Sequence, residues 1–272
     1  MALGSGPDTV TALWLAYDGG DFSGFQVQPG APTVQARLED ALARLSDSQV
    51  RVHPAGRTDA GVHAAGQVVS FNWRGTVPVE QLPKALNSLL PPTISVWEAR
   101  EMPPGFHARK SARSKRYLYF IQCQETPSPF CSQYSLHWRG ELDLAAMREA
   151  ASQWVGTHDF GAFQVAGRPV ASTIRTVTEL SLTRLERTIL IRAEGDGFLY
   201  KMVRSMVGTL LEIGRGATSA SQARQIISSG SRVEAGPTAP AKGLFLWSVD
   251  YGEGPKADGS GFRPFLTPLE IT

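Results

Sequence analysis

The sequence predicts an α+β protein with a mixed, largely antiparallel sheet. Three observations lead there: amphipathic helices are interspersed with strand-like runs, the links are mostly of hairpin length, and no repeat suggests a solenoid. Thr11–Tyr17 reads as a strand and leads into a Gly-rich stretch from Asp18 to Pro32. Thr33 is a helix N-cap by residue type, and Val34, Leu38, Ala41, Leu42 and Leu45 then recur at helical spacing. A strand near Gln49–Pro54, another at Gln67–Asn72, a helix bearing Val79, Leu82, Ala85, Leu86 and Leu89, and a strand at Ile94–Arg100 complete the first half.

The second half varies this theme. Arg116–Gln122 reads as a strand, and Asp143 caps a helix carrying Leu144, Met147, Ala151, Trp154 and Val155. Thr173–Arg184 and Thr188–Ala193 read as a hairpin across a short polar turn. Phe198, Met202, Val203, Met206, Val207, Leu210 and Leu211 form the strongest helical stripe in the chain. A short helix after Ser219 and a strand at Leu244–Tyr251 follow. Pro103-Pro104-Gly105 interrupts both periodicities, giving an expected N-terminal subdomain over 10–104, a C-terminal subdomain over 105–252 and a peripheral tail over 253–272.

Composition narrows the function. Hydrophobic residues at 42% and charged residues at 19% describe a folded protein, and a net charge of +2 means that an anionic partner must be met by a local patch. The 2 cysteines, Cys123 and Cys131, suit reduced thiols. No apolar run approaches the roughly 20 residues of a membrane span. The opening residues lack the layout of a signal peptide, so a cytoplasmic protein is expected. Neither a dinucleotide-binding fingerprint, nor a phosphate loop, nor a nucleophile elbow is present, and the 5 histidines show no metal spacing. Nucleotide cofactors are therefore unsupported, and the spacing of the histidines offers no metal site.

What remains is Gly56–Ala64, GRTDAGVHA, between two strands. It sets the carboxylate Asp59 near the guanidinium Arg57, with His63 close by and glycines that allow sharp bends. A nearby cation favours the ionised carboxylate, although Thr-Asp-Ala-Gly is equally a turn sequence. A second feature is Phe106–Tyr119, where Arg109, Lys110, Arg113, Lys115 and Arg116 occur without an acid among Phe106, Tyr117 and Tyr119. Cations meet phosphates and aromatic rings stack on bases, but a solvated basic loop beside a buried strand has the same composition. In the third feature, the helix from Phe198, Arg204 adjoins the apolar stripe, where it can face inward to a carboxylate or lay its methylenes over the stripe.

GRTDAGVHA resembles the catalytic signature of the TruA-type tRNA pseudouridine synthases. Further blocks agree in order: AYDGGDFSGFQVQ from Ala16, TVQARLEDAL from Thr33, ALNSLLPP from Ala85 and FHARKSARSKRYLY from Phe106. HDFGAFQ from His158, FLYKMVRSMVGTLLEIGRG from Phe198 and APAKGLFLWSVDY from Ala239 continue the series. The resemblance covers Thr11–Tyr251. It implies the pseudouridine-synthase fold, with two α/β subdomains sharing a sheet and flanking a basic cleft. It also implies isomerisation of uridine to pseudouridine at positions 38, 39 and/or 40 of the tRNA anticodon stem-loop, by a homodimer without cofactor or metal.

The same resemblance implies the residue roles: Asp59 the essential carboxylate, Tyr117 the aromatic that stacks on the target uracil, and Arg204 the ion-pair partner of Asp59. Arg57, His63, Arg109, Lys110, Arg113 and Leu244 are the further expected substrate and RNA contacts. The chain departs from the family pattern at Phe25, Val27, Thr93, Lys110 and Ser205, none of which is a catalytic position. Two rivals come from other classes. A non-catalytic tRNA-binding or RNA-chaperone protein on the same fold would not need Asp59, Tyr117 and Arg204 together. A nucleoside hydrolase would want paired carboxylates or a metal cluster, which no local motif offers.

Overall fold

The computed structural model describes residues 9–46, 48–167 and 170–252; the expected tail lies outside them. The chain forms two compact units, one running to Arg113 and resuming at Leu246, the other Ser114–Phe245.

The first unit begins with β1 (Thr9–Tyr17) and α1 (Val34–Leu45), continues through β2 (His53–Pro54) and β3 (His63–Trp73), and ends with α2 (Leu82–Asn87) and β4 (Ile94–Met102). β1 lies between β4 and β3, antiparallel to both. Leu13, Trp14, Leu15 and Ala16 of β1 are all buried, as are Ala64, Ala65, Val68 and Val69 of β3. Strands covered on both faces read as continuous apolar runs rather than alternating ones. The expected cap holds: Thr33 is extended and its side chain accepts from the Ala36 N–H, which starts α1, and Val34, Leu38, Ala41 and Leu42 bury one face.

In the second unit the elements are β5 (Ser114–Cys123), β6 (Leu136–Trp138), α3 (Leu144–Ser152), β7 (Gly156–Asp159), β8 (Ile174–Leu185), β9 (Thr188–Gly195), α4 (Met202–Gly214) and α5 (Ala223–Ser229). The strand order is β5-β9-β8-β7, with β6 parallel to β5 and the other pairs antiparallel. A last strand, β10 (Leu244–Asp250), spans the division in sequence; from Leu246 on it lies beside β3, giving β4-β1-β3-β10 in the first unit. The architecture is the α+β, mostly antiparallel one expected.

Several elements differ from the sequence reading. The strand expected over Gln49–Pro54 contracts to His53–Pro54, which pair with Ser70 and Val69 of β3. The helix expected over 79–89 divides into a 3-10 turn at Val79–Gln81 and the six residues of α2. β6 and β7, of 3 and 4 residues, are too short for a periodicity to announce them. The helix expected from Phe198 starts at Met202, because Lys201 sits in the left-handed region at φ 59°. Phe198 and Met202 are four apart, so spacing alone placed them on one helical stripe. Among the described residues no helix is long and apolar enough to cross a membrane, and no group of three or more His, Cys, Asp or Glu is placed to hold a metal ion.

Candidate active site

The GRTDAGVHA loop runs from the end of β2 into β3, and its backbone is tied down on every side within the first unit. Ala55 N–H donates to Val68 O at 2.8 Å. Gln67 of β3 reaches back, its Nε2 donating to Gly56 O at 2.8 Å. Tyr17 closes the arrangement from β1: its hydroxyl lies 2.7 Å from Thr58 Oγ1 and accepts from Gln67 Nε2 at 3.2 Å. The pairing of β1 with β3 shifts register between Leu15 and Tyr17, an irregularity of the kind that re-aims a side chain. Burial pushes the Tyr17 hydroxyl up to about 12, against the opposing effect of its bonds to Thr58 and Gln67, so it stays neutral at physiological pH.

Asp59 itself is half-buried, and its carbonyl accepts from Val62 N–H at 3.1 Å. On the other side the Gly-rich stretch after β1 presses against the loop: Phe25 N–H donates to Thr58 O at 3.0 Å and Gly61 N–H to Phe22 O at 3.3 Å. Gly24 is what permits this approach. At φ +99° it occupies a region that side chains avoid, and a Cβ there would lie 2.9 Å from Thr58 O. The carboxylate is thus carried on a backbone whose position three segments determine, the preorganisation that a catalytic group needs.

Arg57 is exposed on the same loop. His63, expected among the RNA contacts, is placed differently: it opens β3 with 1% exposure. Its Nδ1 lies 3.1 Å from Gly19 N and 3.0 Å from Asp18 Oδ1. A ring this deeply enclosed braces the turn after β1 and does not present itself to a phosphate. Its place in the motif gave no sign of burial.

In the second unit, Tyr117 on β5 is 8% exposed, and its ring meets that of Phe198 edge-on at 5.2 Å. Arg204 projects from the first turns of α4. Its Nε donates to Ala239 O at 2.8 Å, and Ala239 N–H donates to Arg204 O at 3.0 Å. The first of these bonds orients the guanidinium, and the second ties down the backbone from which it projects. They exist because the 237–239 segment lies directly on α4 at Gly208, where a Cβ would fall 1.6 Å from Pro237 O. Tyr119, two residues along β5, donates to Pro240 O at 2.9 Å, and burial raises its hydroxyl despite the nearby Arg204 charge. Leu244 is buried at the start of β10.

The basic segment divides by environment. Arg109, Lys110 and Arg113 are exposed, as a phosphate-binding role requires. Lys115 is buried on β5, and Arg116 is paired with Glu194, Nη2 to Oε2 at 2.7 Å and Nε to Oε2 at 2.8 Å. His107 stacks at 5.1 Å on the exposed His53. Partial burial, then the charges of His53, Lys110 and Arg109, hold His107 below its ordinary value. Sequence reasoning missed Tyr17 and Gln67, which hold the loop of Asp59, and Gly208 and Ala239, which hold Arg204; no charge or motif singles them out.

Comparison with known proteins supplies the family. The model described as "tRNA pseudouridine synthase" matches residues 15–109 and 150–252. tRNA pseudouridine synthase A of Moorella thermoacetica is 49% identical over 88% of this chain and 98% of its own length. The proteins of the same name from Shouchella clausii and Bacillus subtilis are 47% and 45% identical, over 89% and 87% of this chain and 93% and 97% of theirs. Among solved structures, an archaeal box H/ACA Nop10–Cbf5 complex aligns over 75% of this chain and 44% of that one, at 13% identity and a TM-score of 0.37. Matched by the family model across its loop motif and by curated relatives along nearly their whole length, the chain belongs to the tRNA pseudouridine synthase family.

Proposed function

We propose that this protein isomerises uridine to pseudouridine in the anticodon stem-loop of tRNA, at positions 38, 39 and/or 40. The observation that carries the proposal is the immobilised Asp59 loop within a chain matched over 88% of its length by a relative named for this activity. The reaction breaks the bond between ribose and N1, turns the uracil in place and joins its C5 to the same ribose carbon. It neither gains nor loses electrons, so side chains alone can carry it.

Asp59 is proposed as the reacting carboxylate. Addition to the nucleotide and removal of a sugar proton both require it ionised and held still. Tyr117 is proposed to stack on the uracil, an interaction worth roughly 1–3 kcal/mol per base, with Arg204 as the cation of the site. A base inside a stem must first be flipped out at a cost of roughly a few kcal/mol. Phosphate contacts from Arg109, Lys110 and Arg113, and insertion of the exposed Arg57, offset that cost. A cytoplasmic homodimer is part of the same proposal; sedimentation of the purified protein tests the dimer.

The deciding experiment is tritium release from tRNA transcribed with C5-tritiated uridine, comparing wild type with Asp59→Ala. Release by wild type alone is expected, with the variant still binding tRNA. Wild type that binds several tRNAs and releases nothing would instead support a non-catalytic tRNA-binding protein. Free uracil among the products would indicate a nucleoside hydrolase.

A further inference from the structure

Between β9 and α4 the chain does something costly. Lys201 adopts φ 59°, ψ 10°, a left-handed conformation that disfavours side chains with a Cβ, and it makes no side-chain cap bond to the helix it precedes. Among the described residues the only other non-glycine at positive φ is Glu186, in the tight turn of the β8–β9 hairpin. A hairpin turn accounts for Glu186. Nothing in the regular geometry of α4 demands a lysine at 201, where glycine or asparagine would hold the same backbone without strain. Such outliers persist where the surroundings enforce them, and they concentrate at binding sites.

The consequence of the twist is visible on either side of it. Phe198 is half-buried, edge-on to Tyr117. Tyr200 turns outward and is 46% exposed, one of the few large aromatic rings on the described surface. It is not loosely held: its carbonyl accepts from Val165 N–H at 3.3 Å, and its ring comes within 3.2 Å of where a Cβ on Gly167 would stand. The Lys201 ammonium lies 4.9 Å from the ring centroid. An exposed aromatic ring with a cation 4.9 Å from its centroid is the pairing that single-stranded nucleic acid uses: a base for the ring and a phosphate for the ammonium. Stacking of a base is stronger than an exposed cation–π contact, so a base can displace the lysine, which then meets the adjoining phosphate.

We infer that Tyr200 and Lys201 form a nucleotide-binding spot, in which an unpaired RNA base stacks on the Tyr200 ring while Lys201 holds the phosphate next to it, and that the strained backbone at Lys201 is what presents them. The inference rests on the proposed RNA substrate and adds to it a contact outside the basic segment.

The test compares wild type with Tyr200→Ala, Tyr200→Phe and Lys201→Gly, using a tRNA transcript as the probe. Tyr200→Ala should weaken tRNA binding about tenfold, equivalent to about 1.4 kcal/mol, and Tyr200→Phe should restore it, since the ring and not the hydroxyl is used. Lys201→Gly should separate stability from binding. Relief of the left-handed strain raises the melting temperature by about 2–4 °C, while loss of the ammonium weakens binding and reduces the salt slope by about one. A merely structural role predicts the opposite of this split. Binding of Tyr200→Ala at wild-type strength, or a Lys201→Gly variant that is more stable with unchanged affinity and salt slope, would overturn the inference. Tritium release by wild type is read in parallel. Its absence strikes the proposed function and leaves the binding comparison intact.

Discussion

The hydroxyl of Tyr17 lies 2.7 Å from the hydroxyl of Thr58, the residue immediately before Asp59, and the same tyrosine oxygen accepts from Gln67. Three strands or loops distant in sequence therefore converge on the backbone that carries the carboxylate. None of the three side chains is a candidate for chemistry, yet together they determine where the Asp59 carboxylate stands.

Tyr17→Phe tests that relationship. Removing the hydroxyl leaves a buried amide donor and a buried hydroxyl without their partner, a loss of about 1–3 kcal/mol in stability. Small displacements of a catalytic group are amplified in rate, so tritium release should fall about 10- to 100-fold while tRNA binding persists. Denaturant unfolding and tritium release on the same preparation check both halves. A variant with wild-type turnover would show that the hydroxyl does not position Asp59.

Gly208→Ala tests the equivalent device in the second unit. Its Cβ would fall 1.6 Å from Pro237 O, so the 237–239 segment must move off α4 and the bonds between Ala239 and Arg204 break with it. The expected outcome is a lower melting temperature together with reduced turnover. Arg204→Lys, which keeps the charge but cannot reproduce the planar Nε bond, should lose turnover with little change in melting temperature.

The division of the basic segment predicts a contrast in salt dependence. Neutralising Arg109, Lys110 and Arg113 together should flatten the slope of log affinity for tRNA against log salt by about two to three. Arg116→Gln should leave the slope unchanged, because Glu194 already holds that charge. Binding titrations across a salt series distinguish the two. Equal effects would place the RNA surface elsewhere.

His107 makes stability depend on pH in a definite direction. Its folded value is lowered by burial and by its cationic neighbours, below the ordinary 6.5. The unfolded chain therefore binds the proton more readily. Stability from this group is complete above about 6.5 and is lost as pH falls toward the folded value. Denaturation midpoints measured from about pH 7.5 to about pH 5.5 should decline more steeply for wild type than for His107→Gln. Identical profiles would show that the surroundings of His107 do not disfavour its charge.

The sequence by itself determined the fold class, most strands and helices, and the loop motif that holds Asp59. Those features are local: strand runs at β1 and β5, caps at Thr33 and Asp143, and a motif contiguous in the chain. Tertiary structure alone decided the rest. His63 reads as a polar residue in the same motif as Asp59, and only the packing of β3 under the turn at Asp18 and Gly19 buries it. Phe198 reads as the start of a helix, and only the left-handed Lys201 takes it out of α4 and sets it against Tyr117. Arg109 and Arg116 read alike, and only Glu194, 78 residues from Arg116 along the chain, separates an exposed cation from a paired one. Periodicity and motif report what neighbouring residues impose on each other. Burial, charge pairing and the direction of a side chain depend on residues brought close only by folding.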